Sequence, residues 1–265
     1  MLKFTAFFVF LFSAVRVIIQ SSLSRLTEQR MEYETMLDME VCGRRVRVTG
    51  SLESCEWLIL QPEDAGEEKM PEEMAAELRR LCPDADFALA VFSVDWWRDL
   101  TPWPQAPLFK GQPPFGDGAE QTLGFILEGL IPALKKVRTG GSPRLILGGY
   151  SLAGLFALWA GYQCGIFEAV AAASPSVWYP GWTEYAAAHR FQAGAAYLSL
   201  GDREANTRNP VMRTVGEAIR VQNGIFQSQG ILCILEWNPG NHFADAPLRM
   251  AKGYAYCLYQ EVEHR

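Results

Sequence analysis

One serine of this chain stands in a setting suited to chemistry. Ser151 lies in the run Leu145-Ile-Leu-Gly-Gly-Tyr-Ser-Leu-Ala-Gly-Leu-Phe-Ala157. The stretch from Arg144 to Leu147 reads as a short buried strand, and the apolar stretch that follows the serine, as far as Tyr162, reads as a helix. A strand that turns sharply into a helix with a serine at the tip is the layout of a nucleophile elbow, here with Ala153 where the usual pattern has Gly. The small residues serve the turn, because larger side chains at Gly149, Ala153 or Gly154 would collide with the strand or the helix. The serine then sits at a helix N-terminus, where unpaired backbone N–H groups and the helix dipole favour developing negative charge. A serine that only caps its helix leaves the same local pattern, so the decision falls to residues elsewhere.

A serine hydroxyl is a poor nucleophile until an imidazole takes its proton, and the imidazole needs a carboxylate to hold its tautomer. The chain has three histidines, at 189, 242 and 264. His189 lies in the polar helical stretch Thr183 to Arg190, and His264 lies next to the C-terminus. His242 instead follows a late predicted strand, after Asp202 and Glu204, which follow another. The order Ser151, then Asp202 or Glu204, then His242 matches the Ser–acid–His order of the α/β-hydrolase layout. The competing role for His242 is a turn residue that caps the last helix or a loop carbonyl.

The elements around these residues alternate strand and helix. Met36 to Val48 reads as an early strand with Glu56 to Leu60 as its partner, and Pro62 to Gly66 as the turn after it. Met70 to Leu81 has Pro71 near its start, acids early and arginines late, which describes a dipole-matched helix. Phe87 to Val94 is a continuous apolar run, expected to be a central buried strand. Asp95 to Phe115 has no period and is rich in proline and tryptophan; long irregular segments of this kind are usually functional. Gly118 to Val137 returns to helical spacing, with a kink expected at Pro132. Phe167 to Ala173, Ala195 to Leu200 and Ile231 to Trp237 read as strands, and Val211 to Gln222 and Ala246 to Tyr259 as helices. This alternation predicts an α/β fold with a mostly parallel central sheet, helices on both faces and no large separate lid. In such sheets the site forms from loops at the carboxyl ends of the strands.

Bulk properties narrow the classes. A chain of 265 residues with 49% apolar residues holds one large core. The formal charge of −6, with no basic stripe, argues against a nucleic-acid partner. Six cysteines without a C-x-x-C pair suggest buried free thiols. Three histidines are too few for a multi-histidine metal centre, so no metal is expected. The N-terminal residues 1–30 form a hydrophobic extension, with Lys3 before an apolar run from Phe4 to Val15 and Arg16 interrupting it. They read as a signal-like segment, as an anchor, or as a stretch outside the working protein. The expectation taken here is the last, a cytoplasmic enzyme whose single domain spans 31–265. A membrane is a partner only if the extension is a genuine anchor.

As a set, these segments resemble the esterase family of α/β-hydrolases that contains siderophore (enterobactin-type) esterases, feruloyl esterases and S-formylglutathione hydrolase. The resemblance rests on Asp99-Leu-Thr-Pro-Trp103, Phe115-Gly-Asp-Gly-Ala119, Gly149-Tyr-Ser-Leu-Ala-Gly154, Ala173-Ser-Pro-Ser-Val-Trp178, Gly201-Asp-Arg-Glu204 and Pro239-Gly-Asn-His-Phe243. It covers roughly Val41 to Tyr259. The resemblance implies Glu204 as the acid, three residues after the glycine that ends its strand, with Asp202 as the alternative. One oxyanion donor is expected to be the backbone N–H of Leu152, the residue after the nucleophile. The resemblance points to Asp95 or Trp96 for the second, and Trp96 is preferred.

Trp96, Trp97, Trp103, Trp178 and Trp182 fall in loops expected at one end of the sheet. They suit an aromatic pocket, with Trp97 and Trp178 as the substrate contacts, although tryptophans that merely pack a long loop fit the same pattern. Arg98 and Arg203 suit either an anionic substrate or solvent. The expected activity is serine carboxylic-ester hydrolysis of a small or aromatic ester through an acyl-enzyme, without a cofactor. The alternatives are an acyltransferase with the same triad and a catalytically silent binding protein.

Overall fold

The computed structural model describes residues 36–64 and 69–260; the extension at 1–30 lies outside them. Eight strands form one sheet in the order β1-β2-β4-β3-β5-β6-β7-β8. They are β1 Met36–Val41, β2 Arg44–Gly50, β3 Trp57–Asp64, β4 Phe87–Val94, β5 Arg144–Tyr150, β6 Ala169–Ala173, β7 Ala195–Gly201 and β8 Leu232–Asn238. β2 runs antiparallel to β4, and from β4 to β8 all neighbours are parallel. The helices are α1 Met70–Leu81, α2 Ala119–Gly124, α3 Ile131–Val137, α4 Leu152–Gln163, α5 Trp182–Ala188, α6 Val215–Ser228 and α7 Ala246–Leu258. None of them is long and apolar enough to cross a membrane.

Alternation along the strands assigns side chains to two cores. Ile59, Leu89, Ile146, Ala171 and Tyr197 face α1 and α7, meeting Met74, Leu78, Met250 and Tyr254. Leu60, Ala90, Leu147, Ala172 and Leu198 face the other side, where Leu155, Phe156, Leu134 and Ile219 close the second core. α4 is buried from Leu152 to Tyr162, which is why its residues are apolar all round.

Four expectations about the first half of the chain need correction. The expected single strand Met36 to Val48 is a hairpin, turned by Cys42 and Gly43 at φ 49° and 78°. Positive φ at both positions is the two-residue hairpin geometry that matches strand twist. Glu56 to Leu60 does not pair with it: β3 lies between β4 and β5. β3 also runs on to Asp64, through the residues expected to turn. Pro62 is tolerated there because the ladder to β5 ends at Leu60. The helix expected from Gly118 to Val137 is divided, with a π-helical segment Phe125–Leu130 between α2 and α3. Pro132 has no N–H for the carbonyl four residues back and its ring crowds that carbonyl. The wider turn just before it takes up the mismatch.

The packing leaves no room for a side chain at Gly149. A Cβ on Gly149 would stand 2.4 Å from the Ala153 carbonyl carbon, whereas a Cβ on Gly224 in α6 would meet nothing within 4 Å. Gly149→Ala is expected to lose about 1–3 kcal/mol or more through overpacking. Gly224→Ala is expected to be neutral or to gain about 0.5–1 kcal/mol through helix propensity. Melting curves for the two variants check this, and an unshifted Gly149→Ala curve would contradict it.

Candidate active site

β5 ends at Tyr150, and the chain reverses into α4 through Ser151 at φ 57° and ψ −119°. A non-glycine residue pays strain in that region, and three backbone bonds enforce it. The Ser151 N–H donates to Ala173 (3.2 Å), while the Ser151 carbonyl accepts from Leu155 (3.1 Å) and Ser176 (3.0 Å). Gly154 lets the elbow close, since a Cβ there would come within 2.9 Å of the Gly149 carbonyl oxygen and 3.1 Å of Pro175.

Ninety-one residues later, the loop after β8 returns to this point. His242 Nε2 lies 3.0 Å from Ser151 Oγ, and His242 Nδ1 lies 2.7 Å from Glu204 Oε2. The buried Tyr150 hydroxyl, whose pKa burial raises, donates to the His242 carbonyl at 2.7 Å. Gly240, at φ 105°, makes the turn before it.

Glu204 sits in the turn after β7 with 4% of its side chain exposed. Oε1 accepts from Ser174 Oγ (2.7 Å), the Gly201 N–H (2.6 Å) and Arg249 Nη1 (3.0 Å). Burial pushes its pKa up, but the bonds from His242, Ser174 and Gly201 outweigh burial, and the carboxyl is held below its ordinary value. Asp202 does not reach His242. Its Oδ1 accepts from the Gly240 N–H at 2.8 Å and its own N–H donates to Asn238 at 2.8 Å, so it ties the β7 turn to the β8 turn.

Two further sequence candidates are backbone groups. Leu152 is the first residue of α4, where a helix has no acceptor for its N–H. In the loop after β4, the Asp95 N–H donates to Asp99 Oδ2 at 3.1 Å. Both Leu152 and Trp96 line the cleft above Ser151.

That cleft has a volume of about 1040 Å³. Trp96, Trp97, Phe115 and Trp178 line it, with Leu108, Phe109, Met212 and Phe243 around them and Lys69 and Glu73 at α1. Of the five tryptophans named from the sequence, three line the cleft and two take the packing role that the sequence equally allowed. Trp103 Nε1 donates to the Pro180 carbonyl at 2.9 Å and its ring packs on Tyr179 and Tyr185. Trp182 is fully buried, donating to Gln222 at 2.9 Å. Trp103 braces the long loop, while Trp182 packs α5 against α4 and α6. Arg98 pairs with Asp99 at 3.0 Å and Arg203 lies 3.8 Å from Asp202, and neither lines the cleft. Among the described residues no group of three or more His, Cys, Asp or Glu is placed to hold a metal ion. The described cysteines are all free, with Cys55, Cys82 and Cys257 buried; Cys42 is exposed at the hairpin turn, against the expectation of burial.

Arg249, on the first turn of α7, is a residue that sequence reasoning missed. It is 1% exposed. Nη1 donates to Glu204, Ser174 and Tyr150, and Nη2 donates to the carbonyls of Pro239 and Asn241. One guanidinium therefore binds the acid's turn to the histidine's loop. A charged residue one position before Met250, on the buried side of an amphipathic helix, was its only signal.

Comparison with known proteins bears on the fold. No family model matches the sequence, and no curated protein matches it. Solved structures do. The siderophore hydrolase EstA from Aspergillus nidulans is 20% identical with a TM-score of 0.63, over 86% of this chain and 95% of that one. An IroE-like serine hydrolase from Shewanella oneidensis is 17% identical with a TM-score of 0.70, over 84% and 79%. The fold is that of the α/β-hydrolases. A ferulic acid esterase shares it at 12% identity and a TM-score of 0.57, over 86% of this chain and 95% of that one.

Two measurements test the electrostatics. Arg249→Met is expected to lose about 3–5 kcal/mol, as for a buried ion pair deprived of one partner, seen as a lower denaturation midpoint. Because Glu204 titrates lower in the fold than in the unfolded chain, its charge stabilises the fold above the ordinary carboxyl pKa. That contribution is lost as pH falls through the depressed value. The stability gap between the native chain and Glu204→Gln should accordingly be widest near neutrality and shrink in acid. A gap that grows in acid would contradict the assignment.

Proposed function

We propose that the protein is a serine carboxylic-ester hydrolase acting through an acyl-enzyme on a small or aromatic ester. The observation that carries this reading is the unbroken line from Glu204 through His242 to Ser151, at 2.7 Å and 3.0 Å, with the serine at the strained tip of a strand–helix turn. The ionised Glu204 only accepts, so His242 Nδ1 carries the proton and Nε2 offers a lone pair to the Ser151 hydroxyl. Ser151 Oγ attacks the ester carbonyl as its proton passes to Nε2. The carbonyl oxygen becomes an oxyanion, received by the N–H groups of Leu152 and Trp96; one such donor is worth roughly 10²–10³ in rate. His242 then protonates the leaving alcohol, and water repeats the sequence on the acyl-enzyme.

The apolar, aromatic cleft favours an aryl group on the acyl or alcohol side. Structures that share the fold carry the names siderophore hydrolase and ferulic acid esterase, and these motivate siderophore, feruloyl and short-acyl esters as the substrate classes. Trp97 and Trp178, on the cleft wall, would contact such a group.

Ser151→Ala is expected to abolish hydrolysis of a short-chain aryl ester while the melting curve stays near that of the native chain; activity retained in this variant would overturn the reading. Glu204→Gln is expected to lose far more of kcat than Asp202→Asn, and the reverse ranking would reassign the acid. Assays with a feruloyl ester, a trilactone siderophore and a short-acyl aryl ester should find at least one turned over, and failure of all three would remove the proposed substrate classes.

A further inference from the structure

A second serine touches the atom to which the proposed chemistry assigns the attack. Ser176 Oγ lies 3.3 Å from Ser151 Oγ, on the wall of the same cleft. It is 1% exposed, and Ser151 Oγ is its side chain's hydrogen-bond partner among the described residues. Its position is set by the backbone. The Ser176 N–H donates to the Ser151 carbonyl at 3.0 Å, and Pro175 presses on Gly154 of α4. Two residues earlier Ser174, at φ 45°, turns its hydroxyl to Glu204. One short loop thus places one hydroxyl on the acid and one on the serine.

Resting on the reading of Ser151 as nucleophile, we propose that Ser176 is a further catalytic residue, a hydrogen-bond donor to Ser151 Oγ. Proton counting fixes the direction. The Ser151 hydroxyl has one proton, and His242 Nε2 takes it as acceptor. The remaining contact of Ser151 Oγ is then to a lone pair, and Ser176 must be the donor. As the Ser151 proton moves to Nε2, negative charge builds on Oγ until its bond to the carbonyl carbon forms; Ser176 keeps its own proton and stabilises that charge. In deacylation the same oxygen leaves the tetrahedral intermediate, and the same donor meets the returning charge before Nε2–H reprotonates it. At 3.3 Å the contact is longer than the optimum of about 2.7–2.8 Å for hydroxyl pairs, as suits a bond that tightens when charge develops.

The test compares Ser176→Ala, Ser151→Ala and the native chain on one short-chain aryl ester. Ser176→Ala is expected to keep the native melting temperature and lower kcat between about tenfold and a hundredfold with little change in KM, the scale of one hydrogen bond to a charged group. Ser176→Ala at the native rate, with Ser151→Ala inert, would overturn the role of Ser176 and leave the esterase reading intact. Activity in Ser151→Ala would instead overturn the esterase reading itself. Should Ser176→Ala melt well below the native chain, Ser176→Cys, close in volume and a weak donor, takes its place. A native rate in that folded variant would likewise overturn the proposal.

Discussion

Glu204 carries its charge with 4% of its side chain exposed, and the loops at the carboxyl ends of β6, β7 and β8 are arranged around that fact. A buried carboxylate faces a desolvation penalty of several kcal/mol. Against it stand donors from four different places in the chain: His242 after β8, Ser174 after β6, Gly201 at the end of β7 and Arg249 on α7. Charge-assisted bonds of this kind contribute about 1.5–3 kcal/mol each, which is enough to hold the group ionised. The same bonds orient it, so that one oxygen is committed to the scaffold and the other is left for the histidine.

From that anchor the geometry propagates outward. Arg249 reaches from Glu204 to the carbonyls of Pro239 and Asn241, Asp202 ties the same loop at Gly240, and Tyr150 holds the His242 carbonyl. The imidazole is thus fixed from its backbone as well as from its ring. On the opposite side, strain at Ser151 is sustained by backbone bonds to Ala173, Leu155 and Ser176. Preorganisation of this sort lowers the reorganisation needed as charge develops. It explains why small residues crowd the turn.

Much of this was legible in the sequence where one physical signal dominated. The helix Met70–Leu81 and the strand Phe87–Val94 coincide with their apolar and charge patterns, because burial alone determines those periods. The hairpin at Cys42-Gly43 was not legible: it lacks the Asn-Gly or Asp-Gly pair that marks such turns. β3 was cut short by Pro62, since a proline argues against a central strand unless its ladder is known to end. The approach of Ser151, Glu204 and His242 follows from chain order and from strand ends. Which tryptophans face the cleft and which brace the loop depends on tertiary packing, and nothing local distinguishes Trp97 from Trp103. Arg249 and Ser176 look ordinary in sequence because their importance lies in partners 45 and 25 residues away.

The central claim is that one hydroxyl, at Ser151, is activated by the His242–Glu204 pair. Treating the folded protein with a fluorophosphonate and mapping the adduct by peptide mass spectrometry tests it most directly. The account predicts a single adduct on Ser151 in the native chain and its loss in His242→Ala. A folded native chain that takes no label, or takes it on another serine, would contradict it.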